Sequence, residues 1–461
     1  MSVSLAMWSL RAIARRIESR LARSGTLGQS LIKAFFGSAG MKLAYTGLGF
    51  VNSVLLAKLL APAGFGVYSY VMALVAFLGI PSQLGIPVLA TREMAVTNAR
   101  KDWAHMRGLI IRTHQGVALF AAIIVTGALV ALMFFGNRIA PGKLHAMALG
   151  LLLVPIVSLG ALRGGMLRGL RRVLQGQFPE QIVKPVVFLA LILVLPFIIS
   201  RPASPADAIG MQIVAGLCAF GVGLYLFFRN RPAEIQSVAP SFRTKAWLKS
   251  TVPLGLTAAL TLINGQTDIL VLGMFREDAD VGIYRVAVQM ATLVIFGLQV
   301  VNVIQGPHIA HMFALGDRQK LQTLITRSAQ AVLALTLPIV LILVLFGGWI
   351  IRTAFGPEYA SAYVPLVILC AGQLVNASMG SVGSLLNMTG HERDTMQSVF
   401  IGATVNVTLN FALTPTFGMI GAATATAITL VVWNLVMWHK VHLRTGIEAS
   451  AFIRRRKNVT R

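Results

Sequence analysis

A chain of 461 residues with 56% apolar side chains and a mean hydropathy of +0.75 is too oily for a soluble protein with a polar exterior. Its net charge of +25 suggests an anionic partner, and the placement of the basic residues decides which. The two cysteines, Cys218 and Cys370, both fall in apolar stretches, which implies packing residues rather than a disulfide framework or a metal site.

Residues 1–29 read as a basic segment. Over 1–24, Val3, Ala6, Leu10, Ile13, Ile17 and Leu21 recur at helical spacing while five arginines fall elsewhere, the pattern of a helix lying on an anionic leaflet. So long a lead before the first apolar run does not fit a cleavable signal. Apolar stretches then follow near 31–57, 67–90, 108–135, 144–167, 178–200, 207–229, 250–275, 282–306, 326–350, 359–388, 396–415 and 417–440. Each can cross a hydrocarbon core about 30 Å thick as helix, satisfying its own backbone. The fold class expected is all-α: a polytopic membrane protein of about twelve transmembrane helices. The expected domains are an N-terminal six-helix lobe over 30–229, a linker over 230–249, a C-terminal six-helix lobe over 250–440 and a basic tail over 441–461.

With the N-terminus inside, 32 of the 40 Lys and Arg residues fall on the cytoplasmic side. Only Lys58, Arg138, Lys143, Arg201, Arg276 and Arg352 fall on the other. Over short loops this bias places both termini in the cytoplasm. Most of the basic charge therefore sets topology, which argues against a nucleic-acid partner.

An internal repeat divides the chain. Gly66-Val67-Tyr68-Ser69 opens the second span and Gly282-Ile283-Tyr284-Arg285 the eighth, an offset of 216 residues. A looser echo links Gly165-Met166-Leu167 with Ser384-Leu385-Leu386 at an offset of 219. Six spans is an even number, so two such halves share one orientation, relate by an axis along the membrane normal, and can enclose a cavity.

Two cations lie within spans. Lys42 sits roughly 16 Å into the first, where a lysine costs about 2.5–3.5 kcal/mol. It is expected to face a wet cavity or a ligand; the competing reading is a structural ion pair. Arg285 lies near the start of the eighth span, at a depth where Asp268 could pair with it. Asp268 follows Asn52 at the same offset of 216, and a buried carboxylate can also exchange a proton or cation. Arg92 and Glu93 end the second span. Asn52, Gln83, Asn264, Gln266 and Gln289 are candidates to line the cavity or to hydrogen-bond between helices. The His308/His311 and His439/His442 pairs lack a nearby carboxylate or cysteine and make poor metal sites. No phosphate-binding glycine loop, serine elbow or zinc motif points to an enzyme, and no cofactor is implied.

Several stretches carry a family likeness. Leu59-Leu60-Ala61-Pro62-Ala63-Gly64-Phe65-Gly66-Val67-Tyr68 resembles the Leu-Gly-Pro-x-x-Phe-Gly-x-Tyr stretch of Wzx-type polysaccharide flippases. Leu84-Gly85-Ile86-Pro87 with Thr91-Arg92-Glu93, Thr267 to Gly273 with Val281 to Ala287, and Phe417 to Ala423 are similar to that family's later landmarks. The likeness runs from about residue 30 to 440. It implies the fold of the multidrug, oligosaccharidyl-lipid and polysaccharide exporters: two six-helix lobes around a central cavity. It further implies translocation of an undecaprenyl-diphosphate-linked oligosaccharide from the inner to the outer leaflet of a bacterial inner membrane, for O-antigen, capsule or exopolysaccharide. Lys42, with Arg285 and Arg92, then compensates the diphosphate; Asp268 and Glu93 are ion-coupling candidates for a proton or sodium. Implied partners are membrane lipids, a polysaccharide polymerase and a chain-length regulator. Two rivals remain. A cation-coupled multidrug exporter needs a cavity rich in carboxylates, and a glycan polymerase or ligase needs a large polar outer loop.

Overall fold

The computed structural model describes residues 26–451. The amphipathic helix expected over 1–24 lies outside the described residues, as do 452–461 of the basic tail. The described chain is helical, with no strand among the described residues. In chain order the helices are α1 (Thr26–Gln83), α2 (Ile86–Arg100), α3 (Trp103–Phe135), α4 (Pro141–Gly150), α5 (Leu153–Gly169), α6 (Val173–Phe178), α7 (Lys184–Ile198) and α8 (Pro205–Asn230). The second half adds α9 (Thr244–Phe275), α10 (Asp278–Ala314), α11 (Arg318–Ala354), α12 (Tyr363–Met379), α13 (Val382–Met388) and α14 (Glu392–Thr445).

Among the described residues, eight helical segments are long and apolar enough to cross a membrane. Two of them, α1 and α14, are each a pair of helices meeting at a kink. In α1 the kink is Ala61 (φ 55, ψ 173), beside Pro62, which has no N–H to give the preceding turn. In α14 it is Gly418 (φ 57, ψ −132). With α9 and α10 counted, this layout is compatible with the twelve crossings expected. The breaks differ from expectation in three places. The second span stops at Gln83 rather than near 90, because Leu84 (φ 42) and Gly85 (φ 74) turn left-handed and Pro87 starts a new helix. A turn at 151–152 separates α4 from α5, and Gly380 (φ 65) separates α12 from α13.

Between α6 and α7 the chain makes one π-helical turn, Pro179–Val183, in which the Lys184 N–H reaches back five residues to the Pro179 carbonyl. Such single-turn bulges insert one residue and rotate the side chains around them.

Helices α2 to α8 pack mainly among themselves, as do α9 to α14; α1 runs along both α10 and α9. The closest approach of the halves joins the two repeat landmarks. A Cβ built on Gly66 would meet the Asp278 carbonyl oxygen at 1.6 Å, and one on Gly282 the Pro62 carbonyl oxygen at 2.1 Å. Residues 62 and 278 are themselves 216 apart, so the contact is the same in both directions, as at a two-fold crossing. Nearby, Lys143 pairs with Asp278, and the buried Tyr359 hydroxyl donates to the Ala57 carbonyl at 2.8 Å, just before the α1 kink. At the far end of α1, Gly85 abuts Gly255 of α9, where a Cβ would lie 2.4 Å from the Gly255 nitrogen. A strap over 231–243 docks on α3: Ser241 N–H donates to Ala104 O at 2.9 Å, and Arg107 donates to the carbonyls of Gln236 and Val238.

Candidate functional site

A cavity of about 660 Å³ lies between α1, the π-helical turn with the start of α7, α8 and α10. Sites for small ligands span roughly 300–1,000 Å³. Its end nearest the Gly66–Gly282 crossing is aromatic: Phe65 stacks on Tyr68 at 6.2 Å between centroids, and Tyr68 on Phe188 at 6.3 Å. The rest is polar. Lys42, Tyr45, Asn52, Ser53 and Ser69 line it from α1, Glu180, Gln181 and Lys184 from the π-turn, Gln212 from α8, and Arg285, Gln289 and Gln299 from α10.

The charge balance is cationic, with Lys42, Lys184 and Arg285 against Glu180. Glu180 Oε2 and Lys184 Nζ are 3.9 Å apart. Lys42 and Arg285 form no ion pair among the described residues, so their charge is available to a ligand. The lining is also short of partners. Asn52 donates to the Pro185 carbonyl at 3.0 Å and Gln212 to the Tyr68 hydroxyl at 2.8 Å. Asn52 Oδ1, Gln212 Oε1, Gln181 Oε1, Ser53 Oγ and Ser69 Oγ are buried without a protein partner. Buried polar atoms of this kind are normally satisfied by water or ligand, so the chamber suits a hydrated or hydroxyl-rich guest.

Of the residues singled out in the sequence, Lys42, Asn52, Arg285 and Gln289 line this one cavity; the others are elsewhere. Asp268 is buried, accepting the Tyr284 hydroxyl at 2.8 Å and its neighbour Ile269 N–H, and it forms no ion pair with Arg285. Arg92 is exposed and pairs with the adjacent Glu93 at 3.0 Å. Asn264 reaches the Val399 carbonyl at 3.5 Å, between helices of the second half. Gln83 ends α1, and Gln266 lies on α9; neither lines the cavity.

Lys184 and Glu180 were not expected here. Both lie within two turns of the start of the apolar run at 178, where charges ordinarily reach the membrane surface. The signal that could have found them is Glu180-x-x-x-Lys184-Pro185, an i,i+4 pair followed by a proline inside that run.

Fold and site together define a multi-pass α-helical membrane protein with a chamber between α1, α7, α8 and α10 that Lys42, Lys184, Arg285 and Glu180 help to line. The chain belongs to the polysaccharide biosynthesis protein family, whose model matches residues 31–307. It is 21% identical over 418 residues to the probable low-salt glycan biosynthesis flippase Agl15 of Haloferax volcanii, covering 90% of this chain and 83% of that one. It is 30% identical to the probable flippase AglR of the same organism over 172 residues, 37% of this chain and 36% of the relative. The fold is that of MOP-superfamily transporters. An inward-facing multidrug resistance MATE family transporter superposes with a TM-score of 0.70 at 13% identity, over 88% of this chain and 98% of the other. The lipid II flippase MurJ, in an inward closed conformation, gives 0.67 at 15% identity over 87% of each chain.

Proposed function

We propose that this protein is a flippase of glycan biosynthesis, carrying a lipid-linked oligosaccharide across the membrane by its diphosphate headgroup. The observation that supports this best is the chamber itself: three cations, two of them without ion-pair partners among the described residues, in a pocket rich in amides and hydroxyls. A diphosphate cannot cross hydrocarbon unaided, because stripping its water is prohibitive. A cation about 4 Å from a phosphate contributes on the order of 4 kcal/mol at an effective dielectric of 20. Lys42, Arg285 and Lys184 replace hydration at the headgroup, the amides and hydroxyls of Asn52, Gln212, Gln289 and Ser53 meet the sugars, and the polyprenyl tail stays in lipid. The carrier in this reading is undecaprenyl diphosphate, and the compartment a bacterial inner membrane with both termini cytoplasmic. The lobes over 30–229 and 250–440 rock to expose the chamber to each side in turn. One carboxylate against three cations suits an anionic headgroup better than a cationic drug.

The test is reconstitution of the full chain in proteoliposomes with a fluorescent polyprenyl-diphosphate disaccharide and a membrane-impermeant quencher. Wild type should equilibrate the label between leaflets. Lys42→Ala should slow it at least tenfold, the equivalent of about 1.4 kcal/mol. A Lys42→Ala protein that reconstitutes normally and flips at the wild-type rate refutes the reading.

A further inference from the structure

Beside the Gly66–Gly282 crossing the halves hold each other by side chains as well as by backbone, and those side chains come from one pair of repeat-related turns. Pro141-Gly142-Lys143 opens α4, just after α3. Pro357-Glu358-Tyr359 opens a short 3-10 turn, Pro357–Ala362, just after α11. The two triplets are 216 residues apart, the offset of the glycine landmarks themselves. Each reaches out of its own half. Lys143 pairs with Asp278, the first residue of α10, and its Nζ lies 4.6 Å from the centre of the Tyr70 ring. That ring belongs to α1 and packs on Gly273 of α9, where a Cβ would meet it at 2.3 Å. Tyr359 reaches the other way: it is buried, donates to the Ala57 carbonyl of α1 at 2.8 Å, and its ring centroid lies 6.4 Å from that of Phe65. By the same offset Asp278 matches Pro62, five residues from Ala57, so each turn clasps nearly the same place on the opposite half. The inner part of α1 is held differently: a Cβ on Gly40 or Gly47 meets nothing within 4 Å.

We propose that the two turns are a paired latch. Lys143 on Asp278 and Tyr359 on Ala57 hold this end of the chamber shut, and both let go before it opens. The inference needs only that the halves part here, whatever the chamber carries. Polar clasps suit the task. When they release, the ammonium, the carboxylate, the phenol and the carbonyl all exchange a protein partner for water, so the net cost of each is small and reversible. The two clasps share no group, so their contributions to the closed state add and their effects on the equilibrium multiply.

Distances between the halves test this with no ligand present. The full chain, carrying Cys218→Ser and Cys370→Ala, receives Arg138→Cys and Arg352→Cys for spin labelling; both arginines are exposed and lie just before the two turns, on opposite halves. Double electron–electron resonance in lipid nanodiscs then reads a shorter separation with the latch closed and a longer one with it released. With the latch intact the shorter should dominate. Lys143→Gln should raise the long-to-short ratio about threefold, in the range of a partly exposed ion pair. Tyr359→Phe should raise it about fivefold, because the Ala57 carbonyl lacks its donor in the closed state and meets water in the open one. Together they should reach about fifteenfold, whereas Asp278→Asn added to Lys143→Gln should change nothing further, since the pair is already broken. A Lys143→Gln/Tyr359→Phe protein with the unaltered distance distribution overturns the proposal. An Asp278→Asn effect that multiplies with that of Lys143→Gln overturns it as well, because the two would then not act as one clasp. None of these outcomes bears on the flippase reading, which stands or falls on the flipping assay alone.

Discussion

Replacing Gly66 with alanine strikes the closest contact between the halves. The added Cβ would lie 1.6 Å from the Asp278 carbonyl oxygen, where ordinary contact begins at 3.4 Å. Helices α1 and α10 must therefore part by roughly 1.5–2 Å, the difference between those separations. Overpacking costs about 1–3 kcal/mol. Here the obstructing atoms are backbone in long helices and cannot swing aside, which places the cost near the upper end. Gly282→Ala meets the Pro62 carbonyl oxygen at 2.1 Å and should cost about as much. Once one alanine has pushed the helices apart, the second finds room, so the double variant should lose little more than either single, a coupling of roughly 2 kcal/mol. Thermal unfolding can be followed with a thiol-reactive fluorophore, since Cys370 is fully buried while Cys218 is exposed and sets the starting signal. Each single variant should melt several degrees below wild type. A Gly66→Ala protein that melts with wild type, or a double variant that loses the sum of both, refutes the crossing as described.

Four further outcomes follow from particular positions. Asp102 caps α3, accepting the His105 N–H at 3.2 Å and facing His105 Nδ1 at 2.8 Å, and its hydrogen bond to the His105 side chain holds its carboxyl below the ordinary range. Asp102→Ala should lower stability by about 1 kcal/mol. Because folding lowers that carboxyl's proton affinity, the contribution is complete above the unfolded value of about 4 and disappears as pH falls through the lowered folded value, so the gap between wild type and variant should narrow in melts taken at progressively lower pH below the unfolded value. Tyr359→Phe removes the donor that satisfies the Ala57 carbonyl beside the α1 kink, at about 1–3 kcal/mol, measured in the same melts. Gly85→Ala combines a φ of 74 with a Cβ 2.4 Å from the Gly255 nitrogen and should destabilise clearly. Gly40→Ala, in α1 with nothing within 4 Å, should be neutral or stabilising by up to about 1 kcal/mol.

Hydropathy located the helices because a span must be apolar along its whole length, whatever it packs against. The repeat at 216 was legible for a different reason: Gly66 and Gly282 meet across the two halves, and neither tolerates a side chain there. The breaks were hidden. Leu84 is apolar inside an apolar run, and nothing in its own chemistry announces a φ of 42; the angle falls where Leu84 and Gly85 pack closely on Gly255, a contact between segments distant in sequence. The site was half legible. Lys42 and Arg285 stood out because charge deep in a span is costly, and the structure places both in one chamber. Glu180 and Lys184 were masked by their position near a span end, where depth cannot be judged without knowing that α6 begins at Val173 and continues through a π-turn. Asp268 was conspicuous for the same reason as Lys42, yet its carboxylate is occupied by Tyr284.

The chamber and the glycine crossing share two helices. Along α1 the lining runs from Lys42 to Met72 and so passes Gly66; along α10 it begins at Arg285, three residues beyond Gly282. On the flippase reading, parting α1 from α10 at the glycines would widen the chamber toward the loops around Asp278 and Tyr359. The partly exposed Lys143–Asp278 pair opposes this by about 0–1 kcal/mol and the Tyr359–Ala57 hydrogen bond by about 0.5–1.5 kcal/mol. Larger side chains oppose it too: Leu56 and Phe65 of α1 share a buried cluster with Val281, Ile283 and Tyr284 of α10. Moving a two-state equilibrium from 1:99 to 99:1 takes roughly 5.5 kcal/mol of differential binding. A headgroup that opened this face would therefore have to keep most of that apolar packing intact, so the opening would pivot about the cluster rather than separate the two helices along their length.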